Sequence, residues 1–370
     1  MTPVPFRNVY VHIPFCRHKC GYCDFNAYAG MDRLMPDYVD ALVSELEHAR
    51  ATYPFSPLRT VYFGGGTPSL LAPELMTLLL RRIREIFDVE ADAEVTLEAN
   101  PGSTDAARLD AWLDGGVNRL SLGVQGFDGR ALAVLERRTD SAQATAAFQL
   151  ARRAGIGNIN IDLIYAVPFQ SRESWLETLR RAIDLGPDHV STYCLTFEEG
   201  TLLFRRRAEG KLPEVETDLQ WDQLDAACTE LEAAGYTRYE VSNWARPGFQ
   251  SRHNFAYWRC APVYGAGAGA HSYATDGVLA QRWWNVARPR EYIAACPAPR
   301  AGGEDLDGRK TKAEALMLGL RTAEGAATPK GFETELSTLA GAGLIERVNG
   351  RVTPTRRGMD LHNQIALAVL

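Results

Sequence analysis

Six short runs of β-branched and apolar residues punctuate the first half of the chain: Val9 to Pro14, Thr60 to Phe63, Glu94 to Glu98, Arg119 to Gln125, Asn158 to Ile164 and His189 to Thr196. Each has the length and composition of a strand. Between them, Tyr38 to Ala49, Pro73 to Phe87, Asp105 to Leu113, Ala142 to Ala154 and Ser174 to Leu185 carry apolar residues at three- and four-residue steps, the mark of amphipathic helices. Strands alternating with helices imply parallel pairing through crossovers. The economical architecture is α/β: an open or closed barrel in residues 1–215, with polar groups recurring at the C-terminal ends of otherwise apolar strands.

Residues 216–300 read differently. Thr217 to Ala234 is a long amphipathic helix, and Ser242 to Trp284 is rich in aromatics and glycine, suited to closing the barrel mouth. Arg300 to Gly308, short, polar and glycine-containing, reads as a linker. Residues 301–370 follow with helices at Lys312 to Leu320 and Glu333 to Ala342, an Asn349-Gly350 hairpin signal between Leu344 to Val348 and Val352, and a terminal helix. That order is winged-helix-like and mainly helical.

A chain of 370 residues that is 46% hydrophobic and 23% charged can bury a large core, so disorder is excluded. The formal net charge of -6 gives no global pull toward nucleic acid, and the basic residues of the winged part are offset by Glu and Asp, so no nucleic-acid partner is expected. No window approaches the roughly 18 apolar residues of a membrane span. Met1 to Arg7 lacks a basic segment leading into an apolar core, so neither secretion nor a membrane anchor is expected. Seven cysteines, an odd number with three inside eight residues, suit metal chemistry in a reduced compartment, and the cytoplasm is the expected location.

The densest chemical signal is Cys16-Arg-His-Lys-Cys20-Gly-Tyr-Cys23, directly after the first strand. Three soft ligands select zinc, copper(I) or an iron-sulfur cluster. A zinc knuckle completed by His12 or His18, or three unrelated buried thiols, remain open on the residues alone. Position favours a cofactor, because the C-terminal end of a barrel strand is where enzyme sites lie. The run Tyr62-Phe-Gly-Gly-Gly-Thr-Pro68 lets backbone approach a ligand, while Glu98, Gln125 and Asp162 fall at or near other strand ends. Each alone reads as a satisfied strand-end group, but together they converge on one mouth. Cys194, Cys228, Cys260 and Cys296 are widely spaced and read as ordinary thiols, although Cys296-Pro297 is a dipeptide that can bind heme through its thiolate.

The Cys-x-x-x-Cys-x-x-Cys spacing in this place resembles the radical S-adenosylmethionine superfamily. The resemblance implies a partial (β/α)6 barrel whose three cysteines hold a [4Fe-4S] cluster with one iron left open for the amino and carboxylate groups of S-adenosylmethionine, whose reductive cleavage gives a radical. Tyr10-Val-His-Ile-Pro-Phe-Cys16, Phe63-Gly-Gly-Gly-Thr-Pro68, Leu120-Ser-Leu-Gly-Val-Gln-Gly-Phe127 and Ile161-Asp-Leu-Ile-Tyr165 resemble one branch, the anaerobic coproporphyrinogen III dehydrogenases and their heme-chaperone relatives. This implies S-adenosylmethionine contacts at Tyr10, Gly65, Gly66, Thr67, Glu98, Gln125, Arg137 and Asp162, with Tyr22 and Thr196 at further matching positions.

Three departures point to the chaperones. Phe25 stands where the dehydrogenases have an additional cysteine; only 15 residues precede Cys16, leaving no extension to close over a substrate; and His253-Asn-Phe-Ala-Tyr-Trp258 matches the chaperones' HNxxYW motif. The resemblance then implies heme contacts at His253, Asn254, Tyr257 and Trp258, His253 as the axial ligand with His271 a second candidate, heme-accepting proteins of respiratory type as partners with transient membrane contact, and no dehydrogenase activity. The alternative is the oxygen-independent coproporphyrinogen III oxidase reaction, a radical oxidative decarboxylation.

Overall fold

A computed structural model describes residues 3–370. Strands β1 (Phe6–Ile13), β2 (Phe55–Gly65), β3 (Val89–Ala99), β4 (Arg119–Gln125), β5 (Asn158–Tyr165) and β6 (His189–Cys194) lie side by side in chain order, all parallel. The crossovers carry α1 (Met35–Thr52), α2 (Pro73–Ile86), α3 (Ala106–Asp114), α4 (Ser141–Ala154) and α5 (Arg172–Leu185). The sheet gains Tyr264–Ala266, parallel beside β1, and Asn243–Ala245, antiparallel beside β6. Its two ends are not paired with each other among the described residues, so the barrel is partial.

Away from a few register irregularities, the strands alternate. In β4, Leu120, Leu122 and Val124 pack into the main core, while Arg119, Ser121, Gly123 and Gln125 line a cavity. In β5, Ile159, Ile161 and Leu163 join the same core, and Asn160 and Asp162 face the cavity. The expectation of apolar strands with polar ends is corrected here: polar residues occupy the inner face along the strands, and only the outer face, under the helices, is apolar. Burying that outer face supplies the stabilisation, at about 25 cal/mol per Å².

Helix α6 (Thr217–Ala233) follows, then the short helix α7 (Arg252–Trp258), which packs against β2 and is hydrogen-bonded to β3. Ser251 caps α7 by accepting from Asn254 N, and the Glu94 carboxylate of β3 accepts from Arg252 N at 2.9 Å and His253 N at 3.0 Å. Arg300 to Gly308 is not a linker: Arg300–Leu306 is an edge strand paired with Ala280–Asn285. Its residues are polar because nearly all of them face solvent. Beyond it, Gly308–Gly319, Glu333–Gly341 and His362–Val369 form helices around a separate apolar cluster including Leu316, Phe332, Leu336 and Ile365, with a three-stranded sheet ordered Ala326–Ala327, Arg351–Pro354, Ile345–Val348. Among the described residues no helix is long and apolar enough to cross a membrane.

One buried carboxylate fastens α1 to the segment after α7. Glu45 is fully buried and accepts hydrogen bonds from Tyr292 Oη at 2.5 Å, Asn285 Nδ2 at 2.7 Å, Gly267 N at 2.8 Å and Tyr264 Oη at 3.2 Å. Burial outweighs these donors and pushes its carboxyl up to about 7 from the ordinary 4.5. The folded protein therefore holds a proton here that the unfolded chain releases, and the stability tied to this group falls as pH rises from 4.5 toward 7. Glu45→Leu, which strands four buried donors, is expected to cost about 3–5 kcal/mol in denaturant unfolding. Glu45→Gln is expected to cost less and to lack that pH slope; a slope equal to wild type would refute the assignment.

Candidate functional site

The cavity at the C-terminal ends of the strands has a volume of about 790 Å³. Cys16, Cys20 and Cys23 form one wall of it, carried by the loop that leaves β1. Cys16 is 8% exposed and its Sγ lies 3.4 Å from Thr67 Oγ1; Cys20 Sγ accepts from Arg137 Nη1 at 3.7 Å; Cys23 N donates to Cys20 O at 3.1 Å. None is in a disulfide. Burial pushes the Cys16 and Cys23 thiols up, so an iron bound there must displace protons.

A single ion draws its thiolates to about 2.3 Å from one point, and among the described residues no three His, Cys, Asp or Glu side chains converge in that way. Cys16, Cys20 and Cys23, together on one wall, are a donor set that would fit three irons of a four-iron cluster. His12 is no fourth ligand: its Nδ1 meets Tyr10 Oη at 3.0 Å and its Nε2 meets Asn26 O at 2.9 Å. His18 instead reaches Glu136, 3.8 Å away.

The glycine run is pressed against this loop. Gly66 N donates to Ile13 O and Thr67 N to Phe15 O, at 2.9 and 2.8 Å. A Cβ on Gly66 would stand 2.8 Å from Phe15 O, and Gly65 has φ +111°, where a Cβ would meet the His12 ring at 2.4 Å. Opposite, Glu98 accepts from Tyr62 Oη at 2.8 Å and from Gly65 N at 3.1 Å, yet burial still pushes it up to about 7. Asp162, raised by burial, accepts from Asn160 Nδ2 at 2.8 Å and Ser121 Oγ at 3.1 Å. Gln125, at φ +69°, ends β4 in a conformation that non-glycine residues avoid, a backbone cost found at binding sites.

Of the sequence-predicted residues, Tyr22, Gly65, Gly66, Thr67, Glu98, Gln125, Arg137, Asp162 and Thr196 all line this cavity with the three cysteines. Tyr10 stands behind, its ring 6.0 Å from Tyr62 and its hydroxyl on His12. The four motif residues of α7 are not gathered on one face. Asn254 lines the cavity, whereas His253 is 1% exposed, stacked at 4.9 Å on Tyr62, with its Nδ1 2.7 Å from Thr60 Oγ1. Tyr257 packs edge-on to His253 at 5.1 Å, and Trp258 lies under the Arg321 guanidinium. Burial pushes His253 down to about 3, so the ring is neutral.

Residues 10–182 match the model of the Radical SAM superfamily. The protein named heme chaperone HemW of Mycobacterium tuberculosis (strain ATCC 25618 / H37Rv) is 38% identical over 100% of this chain and 97% of its own length. That of Escherichia coli (strain K12) is 41% identical over 79% of this chain and 77% of its own. The chain belongs to the HemW family of radical SAM proteins. The solved structure titled as coproporphyrinogen III oxidase (HemN) from Escherichia coli, 24% identical, covers 98% of this chain and 89% of its own with a TM-score of 0.83, which shows a shared fold. The resemblance expected from the cysteine and glycine strings is thus borne out at the level of family and fold.

In this HemW-family chain the deeper lining was not anticipated: Tyr62, Arg119, Ser121, Asn160, Ser191 and Tyr193. Their signal was available as the odd-numbered inward phase of β4 and its equivalents in neighbouring strands. The close approach of the glycine run is directly testable. Gly65→Ala is expected to lower unfolding stability by about 2–4 kcal/mol, through both the positive φ and the His12 contact. Gly126→Ala, with nothing within 4 Å of the added methyl, is the control and is expected within about 0.5 kcal/mol of wild type. Equal effects would refute the packing.

Proposed function

We propose that this chain is a heme chaperone: it binds heme and passes it to acceptor proteins, with a [4Fe-4S] cluster on Cys16, Cys20 and Cys23 and S-adenosylmethionine beside it. The names of the HemW relatives support the heme-chaperone reading, and the shared family supports the two cofactors. When bound, the cluster supplies an open iron and an electron to S-adenosylmethionine. The chain's own part is to hold the ligand. Glu98 and Asp162 are carboxyl groups able to accept hydroxyl hydrogens, Gly65 and Gly66 clear the wall, and Arg137 sets a cation beside the Cys20 thiol.

The observation that carries the heme reading is Phe25. It is 61% exposed and lines the mouth of the cavity beside Cys23, where a dehydrogenase would carry a further thiol. A bare aromatic ring there offers a flat apolar surface to a porphyrin. Arg17, Lys19 and Arg138 line the same cavity and suit a propionate at its mouth. The expected axial role of His253 gives way to a supporting one, because the ring is sealed behind Tyr62, which in turn holds Glu98.

In anaerobic Soret titrations, Phe25→Ala is expected to weaken heme binding about tenfold. His253→Ala is expected to leave heme affinity within threefold of wild type while weakening S-adenosylmethionine. A heme titration abolished by His253→Ala would restore the axial role. The reconstituted protein, given coproporphyrinogen III, reductant and S-adenosylmethionine under argon, is expected to show no sustained decarboxylation, and sustained turnover would overturn the chaperone reading.

A further inference from the structure

The floor of the cavity holds a cation that the functions above do not use. Arg119 opens β4 and is 2% exposed, yet it lines the cavity. Its Nε has no hydrogen-bond partner among the described residues. Among the described residues no Asp or Glu forms an ion pair with it; Glu98 and Asp162 feel its charge only through space. In the sheet register Arg119 pairs with Thr96, and Ser121 with Glu98, so Arg119 lies one pleat deeper than Glu98.

Around it the orphaned polar atoms accumulate. Thr96 Oγ1, fully buried, has no partner, nor has His253 Nε2. The Asn158 side-chain oxygen, on the register partner in β5, is also unpaired, but a neutral amide cannot balance a charge. A buried, uncompensated guanidinium is among the most costly groups a fold can carry. The carboxyl groups on the same face of the neighbouring strands are occupied elsewhere: Glu94 caps α7, Glu98 accepts from Tyr62 Oη and Gly65 N, and Asp162 accepts from Asn160 Nδ2 and Ser121 Oγ.

We infer that Arg119 is the floor of a second ligand subsite, which takes a carboxylate group in the lumen beneath the S-adenosylmethionine residues. The planar fork of a guanidinium binds a carboxylate through two parallel N–H···O bonds, and Arg119 lines the cavity with no competing carboxylate partner among the described residues. The carboxylate can come from a free small acid or from a propionate arm of a tetrapyrrole. The chemistry is the same in both cases.

The test uses the full-length chain before cluster reconstitution, so that no open iron competes for the anion. Carbon-13 line broadening of labelled formate is followed against wild type, Arg119→Met and Arg119→Lys, with formamide as the uncharged control. Saturable formate binding is expected in wild type, at least tenfold weaker in Arg119→Met, partly kept in Arg119→Lys, and absent for formamide. Circular dichroism and melting of each variant separate loss of the site from loss of the fold, and Arg119→Lys keeps the test decisive if the Met variant does not fold. No saturable formate binding to wild type, or equal binding to a folded Arg119→Met, would overturn the subsite and mean that the lumen holds water only. Given formate binding, heme and its dimethyl ester then assign the source. A propionate source predicts that Arg119→Met weakens heme but not the ester; a free small acid predicts that neither changes. Because the formate measurement contains no heme, its failure would leave the chaperone reading standing.

Discussion

The polar lumen of this molecule depends on the two-residue period of six parallel strands. Outward residues such as Val9, Val61, Leu97, Leu122, Ile161 and Val190 are buried under helices and hold the barrel together. Inward residues are thereby released from packing duty, and the chain uses them for Tyr62, Glu98, Ser121, Asp162 and Ser191. A barrel interior filled with branched apolar side chains would be a solid core; this one is a polar lumen. Slipping one strand by one residue would exchange the two faces, so register fixes stability and site together.

Below the lumen, polar contacts seat the motif helix. Glu94 caps α7 with both carboxylate oxygens, and this seats His253 against Tyr62, which donates to Glu98. The chain of contacts runs from the motif helix to the cavity wall without any motif histidine reaching solvent. It explains how a helix after the barrel can influence a site built at the strand ends. Burial in the same lumen raises Glu98 to about 7 against the Tyr62 hydrogen bond, and raises Asp162 above its ordinary value.

Much of this was legible in the residues. The Cys16, Cys20, Cys23 spacing and the Gly64-Gly65-Gly66 run are local strings, and the structure brings both to one cavity. The strand and helix positions followed from apolar periodicity. What stayed hidden was non-local or solvent-facing. Arg300–Leu306 looks like a linker because an edge strand at the surface needs no apolar face. Glu45 and Glu94 find partners more than 150 residues away, and nothing in their neighbourhoods announces them. Arg119 was visible as a strand residue, but its lack of a partner is a property of the assembled lumen. His253 matched a motif, but its burial against Tyr62 is a property of the assembled barrel.

The central claim is that the three cysteines and the polar lumen form one site, in which Cys16, Cys20 and Cys23 would hold a four-iron cluster and residues of β3, β4 and β5 would hold S-adenosylmethionine. The most direct measurement is electron paramagnetic resonance of the anaerobically reconstituted, reduced protein, recorded with and without S-adenosylmethionine. The account predicts the signal of a four-iron cluster that changes on adding S-adenosylmethionine and is lost when Cys16, Cys20 or Cys23 is replaced by Ser. Zinc in place of iron, or a cluster signal indifferent to S-adenosylmethionine, would contradict it.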